Sequence, residues 1–483
     1  MSASNPVASA SVAQTPSETS KRLLPWLVAV AFFMESLDTT ILNTAVPAVS
    51  AALHVTALSM KAVLASYTLS LAVFIPISGW MADRFGTRRV FASAIGLFTL
   101  GSFLCGISNN IHLLVACRIL QGMGGSMMVP VGRMTLVRTF AKSELLRTMN
   151  FVSIPALVAP MLGPIAGGLI VGYLHWRFIF FLNIPIGVAG LVLVYLHLPD
   201  YHEETHPLDV VGLILFGSGI GLLSYVLEVF GEHTLSAIEI TGLLVMSLAL
   251  LAGYWLHAKM LEFPLLRLSL FKIRTFRASV SGSFFTRLGI GGVPFLLPLL
   301  YQVGLGFTPI ESGLLIMPQA VAAMSMKTVM PRILATVGYR GVLISNTVLL
   351  GVLLMLFATI GVHTPVWVIV LLAFCYGAFT SLQYSSMNTL VYADTTEEET
   401  SSASSIASTM QQMSISFGVA TAGLATAFFV PSAHAGSSSM IEGVHKALLA
   451  LGGLTIVSTI VFASLKRGDG DAVSHPKTFH PGG

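Results

Sequence analysis

Charge is what this sequence has least of. Lys, Arg, Asp and Glu make up 10% of its 483 residues, against roughly 25% in a soluble domain, so a water-facing surface for a chain of this length cannot be built from them. Cysteine is scarce too. Cys105, Cys117 and Cys375 all fall in apolar stretches, without the spacing of a disulfide framework or a metal site, and read as packing residues. No Gly-x-x-x-x-Gly-Lys-Ser/Thr loop occurs, which removes ATP as an evident fuel. There is no nucleophile–base constellation and no convincing metal cluster, so catalytic residues, cofactors, metals and a nucleic-acid partner are not expected. Residues 1–20 are rich in Ser, Ala and Thr and lack the apolar core of a signal peptide, which marks them as a polar, disordered tail.

What is present is hydrophobicity: 54% of the residues and a mean hydropathy of +0.83. A helix needs roughly 20 apolar residues to cross about 30 Å of hydrocarbon. Fourteen such stretches can be read, at about 24–49, 61–81, 90–108, 111–136, 147–172, 177–197, 208–230, 236–257, 276–302, 310–332, 341–362, 365–391, 404–430 and 443–465. With the N-terminus placed in the cytoplasm, inner segments collect 18 of the 25 Lys and Arg residues and outer segments keep Lys61, Arg177 and Lys446. Basic residues resist translocation, so this alternation supports fourteen spans with both ends inside, in a plasma (inner) membrane. Two inner loops, Tyr201–His206 and Asp394–Glu399, are acidic instead. His202, Glu203, Glu204 and His206 have the donor types of a metal site, but nothing fixes their geometry, so a solvated loop is expected.

The chain repeats itself. Gly86-Thr87-Arg88 follows the second span and Gly338-Tyr339-Arg340 follows the tenth. An offset of eight is a six-helix repeat plus two inserted helices. The expected organisation is a tail over 1–22, a six-helix bundle over 23–200, two inserted helices with an amphipathic connector over 201–274, a second bundle over 275–465, and a tail over 466–483. Two facing repeats with a site at the midplane are a recurrent transporter plan.

Glu35, Asp38, Arg118 and Arg287 lie deep within apolar runs. Charge near the bilayer centre costs several kcal/mol, about 3 on insertion scales, so each is a candidate functional residue. Glu35 and Asp38 are three apart and share a helix face. Arg118 cannot shed its charge and needs a buried partner, for which Asp38 is the expected one. Gly122, Gly124 and Gly125 let a second backbone approach it closely. Asp83 is expected to pair with Arg88 or Arg89 and lock the ends of two helices. Arg287 either pairs with Glu35 or Asp38 across a cavity or binds an anionic substrate. Gln121, Gln383, Asn388, Gln411 and Gln412 add hydrogen-bonding groups to that cavity, while Lys327 is placed to snorkel.

Several of these stretches form known motifs. Gly79-Trp-Met-Ala-Asp83-Arg84-Phe-Gly86-Thr-Arg88-Arg89 resembles the inner-loop motif of the major facilitator superfamily, with Thr87 standing where a basic residue is usual, which suggests a looser lock. Arg118 to Gly125 resembles that family's proton-linked arginine motif, and Gly163-Pro164-x-x-Gly167-Gly168 its antiporter motif. The segments Leu37 to Pro47 and Trp176 to Gly187 are similar to the fourteen-helix drug:proton antiporter branch, EmrB/QacA-type. The resemblance spans nearly the whole chain outside its tails. It implies an all-α integral membrane protein with the major facilitator fold, two six-helix bundles and two inserted helices.

The implied function is that of a proton-coupled exporter working by alternating access, with Asp38 and Arg118 coupling protons and Gly163, Pro164, Gly167 and Gly168 forming a hinge. Glu35, on the face of Asp38, is a further coupling candidate from its position, or else a substrate ligand. Drugs are the branch's usual substrate; an organic anion or anionic metal chelate remains an alternative, and a passive channel a lesser one. The implied partners are a small molecule, protons and lipid, with a periplasmic adaptor if the host has two membranes, and the protein is expected to be a monomer.

Overall fold

A computed structural model describes residues 18–203, 205–229, 235–396, 399–429 and 437–470. The tail residues 1–17 and 471–483, with Glu204, Glu397 and Glu398 of the acidic loops, lie outside these. Among the described residues every regular element is helical. The spans, numbered in chain order, are α1 Glu18–Ala52, α2 Lys61–Phe85, α3 Thr87–Ile107, α4 Ile111–Thr139, α5 Lys142–Tyr173 and α6 Phe178–His197. Then come α7 Val210–Val229, α8 Ala237–Met260 and α9 Arg274–Gly304.

The next helix, Pro309–Phe357, runs for 49 residues. At 1.5 Å per residue that is about 74 Å, twice what a bilayer takes. It is two spans, because Gly338 leaves the helical region (φ 75°, ψ 159°) and turns the chain back. They are α10 (309–337) and α11 (339–357). Val366–Leu390 is α12, Thr400–Phe429 is α13 and Ser438–Ala463 is α14. The thirteen long apolar helices among the described residues thus amount to fourteen crossings. Gly86 has the same signature as Gly338, with φ 92° and ψ 140°. The two Gly-x-Arg turns are therefore conformational counterparts as well as sequence counterparts, and both rely on glycine's freedom at positive φ.

Local chemistry fixes several starts. Asn110 accepts the Leu113 N–H at 2.8 Å and caps α4. Ser236 with Glu239 and Thr308 with Glu311 form capping boxes on α8 and α10, a reciprocal arrangement that satisfies amides left over at a helix start. Helix α1 begins at Glu18, so residues 18–22 continue the helix rather than the tail.

The face carrying Arg84, Arg88, Arg89 and both described ends is called here the basic face, and the opposite one the far face. Apolar packing differs between them. Toward the far face, one core joins both bundles, with Leu37, Val46 and Trp176 packed in a single cluster with Leu296, Tyr301, Leu354 and Leu448. Toward the basic face the core splits. One part is built on buried residues of α1–α6, among them Leu24, Phe91 and Leu136. The others are built on the inserted helices and the second bundle, with Phe216, Phe276 and Ala403 in one and Leu343, Leu390 and Phe462 in the next.

Polar contacts agree. Gln302 donates to the Thr44 carbonyl at 2.8 Å and Ser416 to the Ala65 carbonyl at 3.0 Å, both bridging the bundles on the far side. The bundles share one core and these contacts toward the far face, and their apolar cores are separate toward the basic face.

The glycines of α5 sit at this junction. A side chain on Gly163 or Gly167 would strike α1 at Thr40, Ile41 or Thr44, and one on Gly168 would strike the Pro309 backbone of α10. The Gly313 backbone of α10 approaches Pro164 equally closely. Thr44 also donates to the Pro164 carbonyl at 3.2 Å. A leucine at Gly168 therefore wedges α5 from α10. In a cysteine-free background without substrate, Ser416→Cys is expected to label slowly with a membrane-impermeant thiol reagent and severalfold faster when Gly168→Leu is added. An unchanged rate would show that this contact does not hold the far face shut.

Candidate functional site

Asp38 lies about halfway along α1 and is almost fully buried. Four helices bring polar groups to it. Arg118 of α4 donates from Nη1 to Asp38 Oδ2 at 2.5 Å and to Gln121 Oε1 at 2.8 Å. Gln121 Nε2 donates to Asp38 Oδ1 at 2.8 Å and to Ser102 Oγ of α3 at 3.1 Å. Asn183 of α6 donates from Nδ2 to Asp38 Oδ1 at 3.2 Å and to the same Ser102 hydroxyl at 3.0 Å. The guanidinium lies over the Tyr67 ring of α2, 4.1 Å from its centroid, which gives its open face a cation–π contact. The glycines after Arg118 allow this burial. A side chain at Gly122 would strike Tyr67 and Ser70, and one at Gly124 the α3 backbone at Ala94 and Phe98.

The expected Asp38–Arg118 pair is thus direct. Gln121, expected in the substrate cavity, is instead fully buried in this network, where both its amide atoms are engaged. Sequence reasoning gave no role to Asn183, Ser102 or Tyr67. Asn183 was within reach, since it sits in the Trp176 to Gly187 motif; Ser102 and Tyr67 carry no signal beyond being polar residues in spans.

Glu35 differs from Asp38. It lies three residues, about 4.5 Å of helix rise, closer to the basic face and is half-buried. Among the described residues no hydrogen-bond donor and no cation within ion-pair distance meets its carboxylate. Arg133 of α4, which the sequence reading left without a role, stacks over Phe32 of α1 at 5.5 Å. One carboxylate is locked in a buried network while its half-buried neighbour has no such partner.

In the second bundle, Gln383 was expected in the cavity but is buried. It accepts from Asn346 Nδ2 and donates to Thr347 Oγ1, both at 2.8 Å. This cluster on α11 and α12 contains no titratable group. Asn388 is exposed, and Gln411 and Gln412 are half-buried. Arg287 is 1% exposed. Its Nε donates to Ser283 at 2.9 Å and its guanidinium lies 3.6 Å from the Tyr384 ring centroid. Among the described residues no carboxylate lies within ion-pair distance of it. The alternative of pairing with Glu35 or Asp38 is not realised, because both acids belong to α1 of the other bundle. Lys327 is exposed.

The basic-face turn is also wired differently from expectation. Asp83 pairs with Arg138 at the end of α4, at 2.7 Å, rather than with Arg88 or Arg89. Arg138 simultaneously holds Glu203 at 2.7 Å, and Arg88 lies 3.7 Å from Asp200. Thr87 is fully buried: its hydroxyl donates to the Pro199 carbonyl at 3.1 Å and accepts the Tyr201 N–H at 3.0 Å. The departure at Thr87 therefore adds a clasp instead of loosening one. The acidic loop after α6 is exposed to solvent at His202, Glu203 and His206, as expected, yet it also makes contacts. Its Glu203, with Asp200 just before it, is held by the cations around the turn, and His206 stacks on Phe263 with centroids 3.6 Å apart. Among the described residues no group of His, Cys, Asp and Glu forms a metal site.

Inserted helices and connector meet at Asp209, which accepts from Gly212 N–H at 2.7 Å, His257 Nε2 at 2.8 Å and Leu265 N–H at 3.1 Å. Burial pushes this carboxyl up, but the His257 and backbone donors outweigh it and hold it below its ordinary value. Its contribution to stability is therefore complete above the ordinary carboxyl range and fades as pH falls through the lowered value.

The profile of the family described as Major Facilitator Superfamily matches residues 28–419. The chain belongs to the major facilitator superfamily. It is similar to a protein of Serratia proteamaculans named "Putative multidrug resistance protein MdtD", with 42% identity over 399 residues, 83% of this chain and 84% of that one. The protein of the same name from Escherichia coli O157:H7 (strain EC4115 / EHEC) is 40% identical over 404 residues, 84% of this chain and 86% of that one.

Solved structures share the fold at low identity. A bacterial homologue of the human lysosomal transporter Spinster, inward-facing and unoccupied, superposes with a TM-score of 0.68 at 12% identity, covering 93% of this chain and 97% of that one. A D-xylose–proton symporter gives 0.63 at 15%, covering 91% and 96%. The chain is a multi-pass membrane transporter, not an enzyme.

Removing one partner of a buried hydrogen bond costs about 1–3 kcal/mol. Asn183→Leu and Thr87→Val are each expected to lower the unfolding temperature of the detergent-purified protein by several degrees, with Arg118→Leu costing more because it strands Asp38. Wild-type melting in Asn183→Leu would show that the amide does not support the carboxylate.

Proposed function

We propose that this transporter is a proton-coupled exporter, an antiporter that exchanges protons for an organic substrate by alternating access. The basic face is cytoplasmic in this reading, with both termini inside, and the membrane is the plasma (inner) membrane. The separation of the two cores toward that face is then an inward-open crevice, ready to collect a cytoplasmic substrate. The relatives named for multidrug resistance support an efflux direction, and the Gly163–Gly168 junction supports a hinge in the first bundle.

The observation that carries the coupling is the contrast within one turn of α1. Asp38 is neutralised by Arg118 and two amides, whereas Glu35, on the open side, has no partner. A proton arriving from the outside neutralises Asp38 and loosens the Asp38–Arg118 tie, allowing the bundles to reorient. On the cytoplasmic side, substrate binding between the bundles favours the arrangement in which Asp38 is tied to Arg118, and so the release of that proton. Arg118, which cannot deprotonate, restores the ion pair. Substrate and proton thereby exclude each other at α1, which is the thermodynamic requirement for exchange. The Asp83–Arg138–Glu203 clasp ties the basic-face ends of α2 and α4 to the loop after α6, so that the first bundle moves as a unit.

In proteoliposomes carrying an internal pH dye, adding substrate is expected to move protons in the wild type. Asp38→Asn abolishes that movement while the protein stays folded, and Glu35→Gln reduces it by at least tenfold. Full coupled exchange by Asp38→Asn would remove this carboxylate from the mechanism, and substrate flux without proton movement in the wild type would favour a passive pathway.

A further inference from the structure

Resting on that exporter reading, we infer that the second bundle contains a carboxylate-recognition site formed by Arg287, Gln319 and Thr380, for a substrate that joins an anionic carboxylate to an aromatic or apolar body. Arg287 is 99% buried by its 1% exposure, and its charge has no counter-ion among the described residues. A guanidinium cannot discharge itself, and an uncompensated buried ion is costly. Its Nη2 is buried and makes no hydrogen bond, and the same holds for Gln319 Nε2 and Thr380 Oγ1.

These three groups converge on one strip of α12. Gly377 lies against Gln319 of α10, so closely that a side chain there would strike its backbone. Thr380 follows three residues later and Tyr384 four after that, along one helix face. Arg287 of α9 rests on the Tyr384 ring. The strip rises about 10.5 Å, and Thr380 lies between the Gln319 contact at Gly377 and the Arg287 contact at Tyr384. Two of the unsatisfied groups are N–H donors and the third is a hydroxyl that can donate. Such a set satisfies an acceptor-only ligand, and the cation requires that ligand to be an anion.

Gln319 and Tyr384 are half-buried, so the strip is partly accessible. Phe284, one turn before Arg287 on α9, packs in an apolar cluster with Phe417, Met410 and Met413. A single carboxylate on an aryl or otherwise apolar body fits this chemistry, whereas a lipophilic cation meets Arg287 with like charge. Such an anion would occupy the second bundle while the proton-handling acids stay in the first.

The test is calorimetric binding to the detergent-purified full chain at one pH, without a gradient, using 1-naphthoate, its neutral counterpart 1-naphthylmethanol, and tetraphenylphosphonium. Wild-type protein is expected to bind 1-naphthoate at least tenfold more tightly than the alcohol. Arg287→Gln is expected to erase that preference, and Gln319→Leu or Thr380→Val to weaken naphthoate severalfold, while Arg287→Lys retains part of it. Arg287→Gln should not weaken tetraphenylphosphonium. If Arg287→Gln fails to fold, the Gln319 and Thr380 variants read the same site. No preference for the carboxylate in the wild type, or one unaltered by all three substitutions, overturns the inference. Because no gradient is used, this outcome is separate from proton coupling: loss of substrate-driven proton movement would overturn the antiport while leaving the carboxylate site standing.

Discussion

An ionised carboxylate in the middle of a bilayer protein persists only if its charge is matched at contact distance, and the first bundle is organised around doing that for Asp38. Five helices converge on this carboxylate and its arginine. Arg118 supplies the opposite charge, Gln121 and Asn183 fill the remaining acceptor positions with the Ser102 hydroxyl, and Tyr67 covers the guanidinium. The close helix approaches at Gly122 and Gly124 follow from this demand, because only a residue without a side chain lets α2 and α3 press near enough to exclude water. A charge tie of this kind is stable when intact and strongly unfavourable when half-broken. That is the property a two-state coupling element needs.

The bundles are alike in backbone and unlike in chemistry. Gly86 and Gly338 turn the chain in the same way, yet the buried polar cluster of the second bundle, Asn346–Gln383–Thr347, has no charge to exchange. The second bundle keeps its charge at Arg287 instead, with an aromatic ring beneath it and no carboxylate beside it. Buried carboxylates thus lie in one bundle and an unmatched cation in the other, the two joined by the far-face core and by the contacts of α5 with α10.

Much of this architecture is legible in the sequence, because lipid imposes strong rules. Span length and the alternation of basic loops give fourteen crossings, and the Gly-x-Arg repeat gives the duplication. The charged residues Asp38 and Arg118 stand out for their cost alone, and their pairing follows from it. Uncharged partners are harder to find: Gln121 and Gln383 look like cavity residues, since a glutamine in an apolar run can equally line water or satisfy a buried neighbour. Only tertiary packing separates the two. Asp83 was misassigned for a related reason. Arg88 and Arg89 are near it in sequence, but the helix end directs it to Arg138, 55 residues away, and the acidic loop that reads as solvated supplies the remaining counter-charges. Thr87 shows that a departure from a motif can substitute one clasp for another.

The central claim is that the Asp38 site gives up a proton when substrate binds. It is tested most directly by counting protons released per substrate bound, using calorimetry of the purified transporter in buffers of different ionisation enthalpy. The account predicts release in the wild type and none from Asp38→Asn, with binding itself retained. Binding without proton release in the wild type, or undiminished release from Asp38→Asn, would contradict it.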